Sequence, residues 1–209
     1  IRARVWQTQV PELLKPDEGF EIPEFDIEID IDLENSQAAL FESLGEELPG
    51  KDQVYLYGYG ILDRTKNQDW NKAEFTSIIN FDDTVEAEIE VLSTMWNVLK
   101  TEVGKAESAG KTIGIFHYSS HEKSWFRKFA RRHAAVPGTP SLQEVEDFMA
   151  KYFVDLLKYS ELVALPVTGY GIKKLAPLAD FQWQVSDPGG AESLLKYRDA
   201  IDDRRSPAE

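Results

Sequence analysis

The sequence predicts an α/β domain with a mixed sheet flanked by helices, and three observations predict it. Residues 25–34 (FDIEIDIDLE) alternate apolar and acidic side chains without a break, the period of a strand with one apolar face. Two further strand-like runs follow at 54–62 (VYLYGYGIL) and 75–81. Beyond them Val85, Ile89, Leu92, Met95, Trp96 and Leu99 recur at helical spacing,. Three strands, a helix, a strand and then more helices make an α/β or α+β domain.

Residues 1–24, punctuated by Pro11, Pro16 and Pro23, read as an extended arm, and residues 25–209 as the domain. The first strand is expected at the centre of its sheet, with Ile27, Ile29, Ile31 and Leu33 under a helix. Unbroken alternation would be wasted on a free edge. Residues 35–53 read as a loop with a short helical piece and a Pro49-Gly50 turn. Asp82 or Asp83 is the expected cap of the long helix, which runs to Gly110. A buried-type strand is expected over 112–116, helices from there to about 133 and over 141–154, and another helix starting near 171.

The composition excludes several classes. There is no cysteine, hence no disulfide frame and no thiolate nucleophile or ligand, which suits a cytoplasmic chain,. Three scattered histidines argue against a multi-histidine zinc site,. No window is apolar enough for a membrane span, so no membrane partner is expected. A net charge of −14 argues against a purely electrostatic nucleic-acid binder,. It leaves room for an enzyme that gathers carboxylates around hard cations.

Two segments carry candidate chemistry. Asp26, Glu28, Asp30, Asp32 and Glu34 share one face of the first strand and repel one another unless water or cations intervene,. They form either a solvated outer face or a hard-cation site at the strand end, with Asp32 and Glu34 as ligands. The turn HYSSHE after the 112–116 strand places Glu122 in the first turn of a helix, where open sheets build sites. The plain reading makes Glu122 a favourable charge on the helix dipole. That helix carries Lys123, Arg127, Lys128, Arg131 and Arg132.

The runs IDIDLEN and VYLYGYG, then FHYSSHEKSWFRKF, YFVDLLKYSE, GYGIKKLAPLADFQW and DPGGAESLLKY, stand in an order that resembles the ribonuclease-H-like domain of YprB-type exonucleases. That domain, of the DEDD superfamily, occurs fused to RecB-like nucleases. The likeness spans residues 25–197, with Ser119 where an Asn is usual and a long connection before Val54. It implies a two-metal nuclease using Mg²⁺ or Mn²⁺, 3′–5′ on DNA or RNA. Asp32, Glu34 and Glu122 are then ligands, and Asp155 a ligand, a supporting group or only a helix start. Tyr118, Lys123, Arg127 and Arg131 would contact nucleic acid, with Trp125 a second stacking candidate.

The family's last acidic motif, a Tyr-Asn-x-x-Asp-like helix, has no counterpart before Glu209. The chain therefore reads as a piece of a larger protein whose other domains are partners, and little activity is expected of it alone. The rival expectation is a non-catalytic scaffold or nucleic-acid-binding module.

Overall fold

The computed structural model describes residues 1–36, 52–70, 73–82, 84–182 and 191–205. The loop expected over 35–53, the alternative cap Asp83 and the start of the DPGG segment lie largely or wholly outside them.

Alternation becomes a strand where it was expected. β2 (Ile27–Asn35) lies at the centre of a five-stranded sheet. It pairs antiparallel with β3 (Val54–Asp63), which pairs antiparallel with the edge strand β4 (Glu74–Ile79). On its other side β2 pairs parallel with β5 (Ile113–His117), and β5 parallel with a short edge strand, β6 (Phe153–Asp155). The sheet is thus mixed, with spatial order β4-β3-β2-β5-β6. These strands are preceded by β1 (Glu12–Leu13).

The apolar side of β2 is the floor of the core. Ile29, Ile31 and Leu33 are buried against α2 (Val85–Ser108), α3 (His121–Arg132) and α4 (Leu142–Tyr152) through Met95, Leu99, Trp125, Phe126, Phe129 and Met149. Each helix lays one apolar stripe on that face, and the burial stabilises sheet and helices together.

Several boundaries differ from expectation for identifiable reasons. The first residues are not an extended arm: Arg2–Thr8 form a helix, α1, that buries Val5. β1 then pairs antiparallel with β7 (Val163–Ala164). Thr84, not Asp82, caps α2, its hydroxyl accepting from the Ala87 amide, while the Asp82 amide donates to the Asn80 side chain. The helix expected over 141–154 stops at Tyr152, because Phe153 and Val154 continue as β6 along the open edge of β5. Asp155 then starts α5 (Leu156–Ser160) by accepting from the Leu157 amide.

The segment near 171 is only a single turn, α6 (Ile172–Leu175), followed by a 3₁₀ turn at Ala176–Ala179. Helix α7 (Ala191–Arg205) packs at the start of β3, where Tyr197 stacks on Tyr55 at 3.9 Å. Among the described residues no helix is long and apolar enough to cross a membrane.

Candidate active site

The site lies on the opposite, acidic face of β2, at the carboxyl ends of β2, β5 and β6, where an open sheet forms a crevice. The same-face carboxylates fall into two groups. Glu28 is buried and held structurally: the Arg64 guanidinium lies 2.7 Å away, and the Trp70 indole donates to it. Asp30 and Glu34 are half-buried, and Asp32 reaches solvent.

Charge and lost hydration act together on the second group. Burial pushes the Asp30 carboxyl up to about 6, with the charges of Asp32 and Glu122 adding to the effect. Burial and then Asp32 push Glu34 up to about 7. Asp32 is also raised, by loss of hydration and by Glu122, against a hydrogen bond from the Leu33 amide and the nearby His121 and Lys173. Lost hydration is the larger cause in each case, as expected where packed atoms displace water from an anion. Asp32 keeps solvent contact, so its shift carries less energy than those of the other two.

Asp32 is thus the shared neighbour of Glu34 and Glu122, and Asp30, which is not among the motif acids, is a first addition beside it. The period-two pattern already placed Asp30 beside Asp32. Lys173, exposed on α6 and without an ion pair among the described residues, is a second addition. Nothing local in the sequence links it to a strand 140 residues earlier. Its helix is held there by the Tyr118 hydroxyl, which donates to the Tyr170 carbonyl.

Glu122 enters from the first turn of α3 and is buried. Its Oε2, both ring nitrogens of His117 and the Tyr57 hydroxyl are buried without hydrogen-bond partners among the described residues. His117 Nδ1 is 3.6 Å from Glu122 Oε2, too far for a hydrogen bond,. Unsatisfied polar atoms this close together favour bound water or a cation.

Other expected contacts are placed differently. Trp125 is a core residue, 1% exposed, with Lys128 and Arg132 over its ring, so it offers no face to a base. Arg127 is tied to Glu146 of α4 at 2.6 and 2.9 Å, a bidentate pair between helices rather than a phosphate contact,. Lys123 and Arg131 flank that pair, also acting on Glu146. Lys128 and Arg132 bind Asp52. Asp155 spends Oδ1 on the amides of Ser119 and Leu157, which makes it the organiser of the turn before Glu122. Tyr118 is half-buried, with its hydroxyl engaged as above.

Asp32, Glu34 and Glu122 have the hard oxygen donors that Mg²⁺ or Mn²⁺ takes. Among the described residues, however, no three acidic or histidine side chains stand at metal-holding spacing.

The raised carboxyls predict an inverted pH dependence. An unfolded carboxyl near 4 loses its proton before its folded counterpart near 6 or 7, so stability falls as pH rises through that window. The metal-free chain should lose on the order of 1–3 kcal/mol between pH 5 and pH 8. Glu34→Gln should flatten the slope, measured by thermal melts. A pH-independent difference between the two proteins would remove the effect. Carboxyls lowered by hydrogen bonds, such as Asp63 with Thr65 and Lys111, act below pH 4 and leave this window clear.

Fold and site together define an α/β domain with an acidic crevice at the carboxyl ends of its parallel strands. Comparison with protein-family models, curated proteins and solved structures finds no match.

Proposed function

We propose that the chain is a divalent-metal-dependent nuclease domain with a ribonuclease-H-like fold, a 3′–5′ exonuclease of the YprB type. One observation supports the reading: Glu122 acts on Asp32 and Asp32 acts on Glu34, so the acids singled out by the motif order are linked through Asp32. The central place of the acid-bearing strand, between an antiparallel and a parallel neighbour, supports the fold assignment.

When bound, Mg²⁺ or Mn²⁺ supplies an activated water and charge stabilisation for the leaving oxygen. The chain's own contribution is to hold hard oxygen donors in a partly dehydrated crevice, where electrostatic interactions are strengthened. Lys173 stands at its mouth to meet a phosphate, and Lys123 and Arg131 extend the positive surface along α3. DNA or RNA is the substrate, and further domains of a longer chain would be natural partners.

A non-catalytic module is the second reading. It is favoured by the absence of a metal-holding triplet among the described residues and by the structural engagement of Arg127 and Asp155. The deciding experiment titrates Mn²⁺ into the chain and follows 5′-labelled single strands. Manganese-dependent shortening from the 3′ end is the expected result. Oligonucleotide binding without cleavage at saturating Mn²⁺ would replace the nuclease with the binding module.

A further inference from the structure

The sheet ends on β4, whose outer edge is open. The Asn80 amide donates to the Tyr55 carbonyl at 3.0 Å, and the register sets Ile79 beside Leu56. Antiparallel strands alternate between bonded and unbonded pairs. Ile78 and Thr76 therefore turn their amides and carbonyls to β3, and Phe75, Ser77 and Ile79 turn theirs outward. The same three side chains stand on the acidic face, opposite Gly60, Gly58 and Leu56. All three are exposed, Phe75 by 66% and Ile79 by 45%.

Edge strands are ordinarily protected by lysine, proline or a bulge. Residues 75–79 (FTSII) contain no charge and no proline, and their register to β3 has no shift. A Cβ at Gly60 would stand 2.8 Å from the Phe75 ring, so its absence lets that ring lie against the sheet. Charge is distributed unevenly along the edge. Lys66, whose side chain is 79% exposed, borders Ala73 and Thr76 at the leading half of β4. The exposed Glu86 and Glu90 stand by the trailing half, Glu90 accepting from the Asn80 side chain.

We propose that this edge pairs with β4 of a second copy of the chain, antiparallel about a two-fold axis at Ser77. That axis sets Ser77 opposite Ser77 and each Phe75 beside Ile79 of the other copy, so apolar meets apolar twice. It also brings the leading half of each strand to the trailing half of the other, cation towards acids. A parallel pairing would bring like ends together. The two sheets become one of ten strands, with both acidic crevices on the same side because the axis is perpendicular to the sheet. Five strand spacings separate the two copies of β2, about 24 Å. The strand offers six residues, far fewer than the roughly 20–30 a side of a standard interface,. The pair is therefore weak, with a Kd above about 1 µM.

The chain has no cysteine, so a single introduced one reports on the axis. Bonded antiparallel partners stand about 5.5 Å apart between Cα atoms, a separation that suits a disulfide. Ser77→Cys should therefore cross-link two copies in air. Phe75→Cys, opposite Ile79, stands about 13 Å from its counterpart in the other copy and should not.

Sedimentation equilibrium should show a dimer that grows with concentration in salt of about 0.15 M, which screens the repulsion between two charges of −14,. Ser77→Pro removes two outward amides and should raise Kd about thirtyfold. Should thermal melts show that proline unfolds the chain, Ser77→Lys sets two ammonium groups face to face and should raise Kd about fivefold. Cross-linking of Phe75→Cys equal to that of Ser77→Cys would overturn the proposal, as would a dimer indifferent to substitution at Ser77. A monomer at every concentration, with no cross-link in Ser77→Cys, would also overturn it and leave the edge to a strand of another protein.

Discussion

Asp32→Ala is expected to lower manganese-dependent cleavage more than about a hundredfold while making the metal-free chain more stable. Loss of a residue that merely supports a metal ligand costs about 10–100-fold, so loss of Asp32, a direct ligand under the proposed function, should exceed that. The stability gain follows from the same geometry. Asp32 raises both Asp30 and Glu34 by its charge, and removing it relieves two repulsions in a partly dehydrated crevice,. Opposite signs in activity and stability distinguish a functional acid from a structural one.

Asp32→Asn refines the result, since it keeps an acceptor for the Leu33 amide and removes only the charge. It should resemble Asp32→Ala in activity and exceed it in stability. The measurements are cleavage rates with Mn²⁺ and thermal melts in a chelator. Wild-type cleavage by both variants would remove Asp32 from the site. A fall in melting temperature equal to the loss in activity would make it a structural residue.

Phe126→Ala is expected to cost about 3–5 kcal/mol, the range for deleting a fully buried ring. Phe126 has no exposed surface and packs on Tyr57 of β3, Trp96 of α2 and Phe153 of β6, with ring centroids 5.5, 5.8 and 5.9 Å away. It therefore joins three elements that are distant in sequence. Against a total stability of about 5–15 kcal/mol this approaches unfolding. Phe126→Leu should lose much less, because the cavity is smaller.

The residue also stands one turn after Glu122 on α3, so what remains folded should hold Glu122 poorly. Urea denaturation reads the first effect, and the manganese requirement of the surviving activity reads the second. A loss under about 1 kcal/mol would mean that the three elements do not share this contact.

Much of the fold was legible because it is periodic. The alternation over 25–34 dictated a strand whose apolar face had to be covered, and covering it from α2 and α3 put the strand in the middle. Three short strands, β1, β6 and β7, carry no periodic signal of their own. Phe153–Asp155 has no period of its own and becomes a strand only because β5 offers an unpaired edge. Val163–Ala164 likewise needs β1.

The candidate site was legible in part, as a grouping of acids, for a similar reason. Asp32 and Glu34 lie two residues apart on one strand and must share a face. Glu122 lies where a strand runs into a helix N-terminus. Lys173 was not legible. The stripe on α3 looked like a phosphate track, yet three of its five cations bind Glu146 or Asp52. A helix pattern records which residues share a face, not which element that face meets.

By itself, then, the sequence determined the strand and helix periods, the face on which the acids gather and the donor chemistry they present. Those depend on spacing along the chain, which φ and ψ convert directly into direction. Only the tertiary structure decided which carboxylates lose water and how far their pKa values rise. It also decided which cations of α3 bind Glu146 or Asp52, and that Gly60 makes room for Phe75. Those depend on contacts between segments tens of residues apart, and no local pattern encodes them.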